Sequence, residues 1–459
     1  MLYRLGMRLA TLIVLDFAAT GTTCRVPMGD NSMNAFAIGW SRAFFRRVSW
    51  LLILLASACA MAQAQQRRAA PVQKPKIRAI TAFVNLDRSQ YLLQIADAVK
   101  MLKYARTVFE SRGFEVQTIR IATQPFPEYI QGLTTDQALT FFKDYDALAQ
   151  QDGFAASIGP AMLNATDSPA QADLLADILL NTKVLNGSLV VGGPDGVRWP
   201  AVGAAARVMK KLEDTEHSQD NFRFAAIAMV PPLTPFFPAA YHTGFGHQFA
   251  IAFESAGIVA AAFKDAPNLA TAKQRLIDKL GQVAFDAQAQ AGRIDQDTGW
   301  TYMGIDLSPA PMKDDSIGAA IEDLTTQPLG SSGTLTAAAT ITSALKDIQV
   351  TQTGYSGLML PILEDSRLAQ RWSEGRISID SLLSYSAVCG TGLDTLPLPG
   401  DISVQQLSLI IGDMASLAVK WHKPLSARLF PVEGKGPGDK TDLEGQYLVN
   451  ATIQPLEKQ

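Results

Sequence analysis

Imidazole, carboxylate, thiol and guanidinium side chains concentrate in a few loops dense with Gly and Pro, and that is where chemistry can be done. The run Tyr241-His242-Thr243-Gly244-Phe245-Gly246-His247 holds two of the four histidines. Five residues apart, His242 and His247 would sit about 140° apart on a helix and on opposite faces of a strand. The glycine loop lets them converge on a metal, for which imidazole nitrogen is a natural ligand; otherwise one faces a cavity while the other packs. Gly304-Ile305-Asp306-Leu307-Ser308 places Asp306 and Ser308 at a strand end, where parallel α/β proteins put their sites. The same residues also suit a local turn in which Asp306 bonds the backbone.

Gly354-Tyr355-Ser356-Gly357 and the pair Glu364-Asp365 flank an apolar run. Adjacent acids can act as a buried base and its neighbour, one raising the pKa of the other, or can cap a helix end. Cys389 lies between Val388 and Gly390, with Asp394 five residues on. A thiol so placed is a nucleophile within reach or an inert buried wall. Lys423 and Arg428 precede a Gly-rich stretch over 434–440, and Arg428 can hold a carboxylate or phosphate with two parallel N–H donors. Gly330-Ser331-Ser332-Gly333-Thr334 opens a helix and is either an anion site or an ordinary cap. No Walker loop, dinucleotide fingerprint or nucleophile elbow is present. Catalytic roles therefore fall to His242, Asp306, Cys389 and Asp394, and ligand contacts to Ser308, Tyr355, Glu364, Lys423 and Arg428. His242 and His247 are the only residues proposed for a metal, and no cofactor is implied.

Elements that can position these loops follow from periodicity. Strands are expected over 77–86, 114–122, 154–158, 188–191, 222–230, 249–253, 301–307 and 425–431. Val116, Thr118 and Arg120 share one face of the second of these. Helices are expected over 89–112, 135–150, 170–180, 202–212, 269–291, 316–324, 335–345 and 404–421. Strand followed by helix, again and again, predicts a mainly parallel sheet covered by helices. Residues 77–459 read as one domain, with a Gln/Pro/Arg linker over 65–76.

The first 64 residues read as an export region. Arg42, Arg46 and Arg47 precede an apolar run that ends in Ser57-Ala58-Cys59-Ala60-Met61-Ala62-Gln63-Ala64, which has the basic, apolar and small-residue order of a signal. Cleavage is expected near Ala62 or Ala64, with Met33 as an alternative start and Cys59 as an alternative lipid acceptor. Loss of these residues moves the net charge from −3 to −7, and of the three cysteines leaves Cys389 with no partner for an internal disulfide. The expected product is periplasmic, without a stable membrane span, and free to form oligomers. Balanced charge gives no basic surface for nucleic acid, and 47% hydrophobic residues give ample core.

Several longer blocks resemble one family. "FEVQTIRIATQPFP", "YHTGFGHQFAIAFESAG", "GIDLSPAP", "SIGAAIEDL", "TGYSGLMLPILEDSRLAQR", "CGTGLDTLPLPGD" and "KPLSARLFPVEGKGPGD" are similar to the UPF0210 family, also called DUF711, over about 76–455. The resemblance implies a closed α/β barrel like that of pyruvate formate-lyase, with helices outside and a loop entering the middle, and the loop of Cys389 is expected inside the sheet. It carries no catalytic motif to transfer. Glycyl-radical chemistry is excluded, because Gly354-Tyr355 follows Gln352-Thr353, not the Arg-Val-x of that motif, and lies about a hundred residues from the C-terminus. Family members are usually cytosolic and often associated with ACT-domain proteins; an exported member departs from that. The function expected is an exported enzyme, hydrolase or lyase, acting on a small anionic metabolite by acid–base or thiol chemistry. The alternative is a periplasmic small-molecule binding protein that uses the same pocket without turnover.

Overall fold

The computed structural model describes residues 74–213 and 218–456. The export region, the alternative start at Met33, the Cys59 acceptor and most of the linker lie outside the described residues. The strands are β1 (Lys76–Val84), β2 (Val116–Thr123), β3 (Ala155–Pro160), β4 (Leu185–Gly193), β5 (Gly196–Val197), β6 (Phe224–Ala228), β7 (Gln248–Glu254), β8 (Thr301–Ala310), β9 (Gly392–Pro399) and β10 (Leu425–Val432). The helices are α1 (Tyr91–Ser111), α2 (Phe126–Tyr129), α3 (Thr135–Asp152), α4 (Ala170–Leu180), α5 (Trp199–Lys211), α6 (Ala256–Phe263), α7 (Leu269–Thr298), α8 (Ile317–Thr325), α9 (Thr334–Asp347), α10 (Ser366–Ser373), α11 (Ile379–Ser386) and α12 (Val404–Trp421). Among the described residues no helix is long and apolar enough to cross a membrane.

Nine strands follow the order β8-β7-β1-β2-β3-β4-β6-β10-β9, with β5 hairpinned onto β4. The expected parallel sheet reverses twice. β1 pairs antiparallel with β7, and β6 pairs antiparallel with β10; the remaining neighbours on this path are parallel. Five parallel strands, β1, β2, β3, β4 and β6, thus stand between two parallel pairs that point the other way. The segment 352–365 bridges both edges: Gln352 pairs with Ile305 of β8 and Pro361 with Asp394 of β9.

One face of the sheet is covered by helices. Ile80, Ala82 and Val84 of β1 join the main core, against which α1 packs across β1 and β2, while α5 and α12 cover β4 and β6. Helix ends are set by local chemistry. Thr134 and Gln137 form a capping box at α3, Ser403 and Gln406 another at α12, and Gly153 and Gly299 close α3 and α7 in the left-handed conformation. The opposite face is filled by the connection between β6 and β7. There Thr81 donates to the Pro235 carbonyl, Ser157 to that of Ala240, and Thr353 to that of Leu233.

Two expectations need correction. The stretch around Asp394, read as a Gly-rich loop, is the fully buried strand β9. Its prolines suit an edge strand that pairs through a ladder only with β10, and Thr395 takes a positive φ where the register shifts. The segment that fills the face away from the helices is 229–247, not the loop of Cys389, which packs into the main core instead.

Candidate functional site

A cavity of about 300 Å³ lies between the sheet and the β6–β7 connection. Its ionic wall begins at Arg78 on β1. The Arg78 guanidinium donates to Glu254 at the end of β7 (3.2 Å) and to Glu364 on the bridging segment (2.9 Å). Gln117 donates to the same Glu254 oxygen at 2.6 Å. Across the cavity, Arg428 of β10 donates through Nε to Asp394 of β9 (2.5 Å) and through Nη2 to Glu364. Glu364 therefore sits between two guanidinium groups, and five buried charges alternate in sign from Glu254 to Asp394. Such a chain tolerates burial because each ion has a charge-assisted partner.

Burial raises the Asp394 carboxyl above the ordinary aspartate range; Arg428 opposes the shift and Glu364 adds to it. Burial also works against the Arg428 charge, but Asp394 and Glu364 outweigh it and hold that guanidinium above its ordinary value. Tyr355 lines the cavity as a protonated phenol, raised chiefly by burial.

Arg120 differs from both other arginines. Its Nε donates to Thr118 Oγ1 at 3.0 Å and its guanidinium lies 4.9 Å from the Phe237 ring centre. Among the described residues no carboxylate comes within salt-bridge distance of it. Desolvation, helped by Arg78, lowers its pKa to about 9, so the group stays charged at neutral pH. Two aromatic rings, Phe222 and Tyr447, stack with centres 6.1 Å apart, Arg428 lying over one and Arg78 over the other. The apolar remainder of the wall comes largely from Phe236, Phe237, Ala239 and Met359.

Of the residues singled out by sequence, Tyr355, Glu364, Asp394 and Arg428 line this one cavity. Asp306 and Ser308 stand behind it. The buried Asp306 carboxylate accepts from Ser308 N (3.0 Å), Ser308 Oγ (2.6 Å), Tyr355 N (2.7 Å) and Ser356 N (2.9 Å), which holds the turn carrying Tyr355. Gly354 is required in that turn, since its φ is 65° and a Cβ would lie 2.2 Å from Asp306 Oδ2. Ser308 Oγ in turn accepts from Gly357 N. Lys423 donates to the Ser386 and Cys389 carbonyls. Cys389 is buried outside the cavity lining, and burial pushes its thiol pKa up. His242 is buried with Nε2 2.7 Å from Gln248 Oε1, and desolvation lowers its pKa. His247 stacks on Trp300 near the surface, so the two rings serve different neighbours. Among the described residues no three His, Cys, Asp or Glu side chains gather as a metal site.

Arg78, Arg120, Glu254, Phe237 and Thr391 were not anticipated as site residues. One signal was legible for the arginines: each interrupts a strand whose other residues are mostly apolar, and a charge there must find a partner or a cavity.

A family model described as "Uncharacterised ACR (DUF711)" matches residues 71–444. A UPF0210 protein of Pyrobaculum islandicum is 33% identical over 354 residues, covering 73% of this chain and 78% of its own length. One of Pyrobaculum aerophilum is 32% identical over 403 residues (81% and 88%), and one of Oenococcus oeni 28% over 381 residues (78% and 83%). Among solved structures, the anaerobic ribonucleotide reductase from Thermotoga maritima in complex with dATP and CTP aligns with 77% of this chain and 75% of its own. The identity is 8% and the TM-score 0.36, and nothing about the cavity follows from it.

Proposed function

This chain belongs to the UPF0210 (DUF711) family, and from that premise we propose that its cavity is the active site of an enzyme, hydrolase or lyase in type, acting on a small anionic metabolite by acid–base chemistry. Arg120 carries the reading: it is a charged guanidinium lining the cavity without a carboxylate partner among the described residues. Arg120 is half-buried, and a partly desolvated cation left uncompensated is costly unless an anion comes to meet it. Asp394 supplies the acid. Burial favours its protonated form, and Arg428 holds it beside Glu364, so a proton can pass between this pair and a ligand fixed on Arg120. Acid–base chemistry is preferred to thiol chemistry because Cys389 lies outside the lining.

A non-catalytic binding protein is the second reading, favoured by the fact that Glu364 and Asp394 are both engaged by guanidinium groups. Thermal-shift screening of small carboxylates and phosphates, followed by NMR of each hit over time, separates the two. Turnover that Asp394→Asn abolishes while binding persists supports the enzyme; binding without turnover in the unaltered protein supports the alternative.

We further infer that the sheet closes into a barrel of the pyruvate formate-lyase kind, with 352–365 spanning the gap between β8 and β9. Two isolated bridges and a cavity lined from eight strands support this. The amides of Thr353 and Ile362, which donate to Ile305 and Asp394 carbonyls, should then exchange as slowly as core-strand amides. Exchange at loop rates would mean an open sheet. Export with removal of residues up to about 60–64 remains part of the proposal, with 77–459 as one domain. N-terminal sequencing of native protein tests the first, a product starting at Met1 or Met33 being the contrary result. Limited proteolysis tests the second, early cutting into two stable pieces being contrary.

A further inference from the structure

We propose that the anion taken by this cavity is a monocarboxylate whose remaining body is apolar, held by its carboxylate on Arg120. The inference rests on the anion reading above and narrows it to one chemical class. Charge balance is the first argument. Glu364 and Asp394 on the wall, and Glu254 behind it, are taken up by Arg78 and Arg428, with Lys76 also 3.8 Å from Glu254, and none of these carboxylates reaches Arg120. Arg223 is matched by Asp220, and Lys183, which also contributes to the lining, is exposed. One guanidinium is therefore unmatched by direct contact, with its two Nη groups free to make a planar, two-pronged bond to a carboxylate.

A phosphate monoester carries about −1.5 to −2 at neutral pH. Its second charge would face Glu364 and Asp394 with no spare buried cation, a desolvation penalty that a carboxylate avoids. The single charge of a carboxylate can also be balanced by one proton on Asp394, the group that burial already inclines toward its neutral form.

The rest of the wall describes the rest of the ligand. Phe236, Phe237, Ala239 and Met359 offer apolar surface to the cavity that Arg120 lines, and the Phe237 ring centre lies 4.9 Å from the guanidinium. Among the described residues, the hydroxyl of Thr391 is a fully buried wall group with no hydrogen-bond partner. A ligand body with at most one further polar group fits those surroundings; a sugar or a nucleotide, with many, would leave most of them unpaired.

Calorimetry on the full chain at neutral pH tests this with four probes: 3-phenylpropionate, its neutral amide 3-phenylpropanamide, its isostere 2-phenylethylphosphonate, and acetate. We expect 3-phenylpropionate to bind at least about tenfold more tightly than each of the others. Arg120→Gln should erase the preference for carboxylate over amide, and Arg120→Lys, which keeps the charge without the fork, should restore part of it. Equal or tighter binding of the phosphonate overturns the carboxylate assignment while leaving the anion reading standing. Failure of all four probes to bind overturns both. Carboxylate affinity unchanged in a folded Arg120→Gln protein removes Arg120 from the site.

Discussion

Replacing Asp306 with Ala removes a carboxylate that touches no ligand and should nonetheless disable the cavity. Four donors converge on it, at 2.6–3.0 Å: two from Ser308, and the backbone N–H groups of Tyr355 and Ser356. All are buried, so each loses its partner in a place where water has poor access. Hydrogen bonds to a charged group are worth about 1.5–3 kcal/mol each, and burial of the carboxylate, which raises its pKa, takes back part of the total. The net loss expected is about 3–5 kcal/mol, a large share of the stability of an ordinary domain. Asp306→Asn should be milder, about 1–2 kcal/mol, because one amide oxygen still accepts while the amide nitrogen confronts a backbone donor. Urea unfolding monitored by tryptophan fluorescence gives both values, and calorimetry with 3-phenylpropionate reads the cavity. Ligand affinity should fall in the Asn variant even where stability is nearly kept, because the Tyr355 turn has lost an anchor. A loss below about 1 kcal/mol in Asp306→Ala at unchanged m-value would refute the view that this carboxylate holds the turn.

Arg120→Met should raise stability in the absence of ligand, by about 0.5–2 kcal/mol, since it removes an unmatched cation beside Arg78; a lower thermal midpoint would contradict that. His242 has a lowered pKa when folded, so the unfolded chain takes up its proton first: stability is fully present above pH 6.5 and is lost as the pH falls below it. The difference in unfolding free energy between the unaltered protein and His242→Gln should therefore shrink from pH 7 to pH 5, and a constant difference would be the contrary result. Cys389→Ser should leave ligand binding within about twofold, and the native thiol should react slowly with a disulfide reagent until the chain unfolds; rapid native labelling would place it at an accessible site.

Local signals carried the helices furthest. The expected bounds of 170–180 and 404–421 coincide with α4 and α12, whose apolar stripes are legible within the segment itself, α12 having in addition the Ser403/Gln406 capping box. β9 was illegible for the opposite reason: Gly392, Pro397 and Pro399 look like a loop until β10 lies beside them. A general rule put weight on two residues that stand behind the cavity. Asp306 and Ser308 drew attention because ligands usually sit beyond the carboxyl ends of parallel strands. Here the cavity takes Arg78, Ala155, Asn186 and Ala225 from near the amino ends of β1, β3, β4 and β6. The antiparallel junction with β7 brings the carboxyl end of β8 to that same end, while β10 runs against β6 with Leu425 beside Ala228 and Ala427 beside Ala226, so Ser426 and Arg428 reach the wall from the opposite direction. No residue pattern within one strand reveals which distant strand will reverse beside it.

The junction between β6 and β10 also has a consequence for biosynthesis. β6 is complete at residue 228, but the strand that covers its free edge begins only at residue 425. During translation that edge waits while about 200 residues are made, roughly 10–40 s at ordinary elongation rates. An apolar strand with unpaired backbone groups is a template for pairing with other chains, so the nascent protein is at its most aggregation-prone over this interval. Chains truncated before β10 should accumulate as insoluble material, and slower synthesis at low temperature should not rescue them.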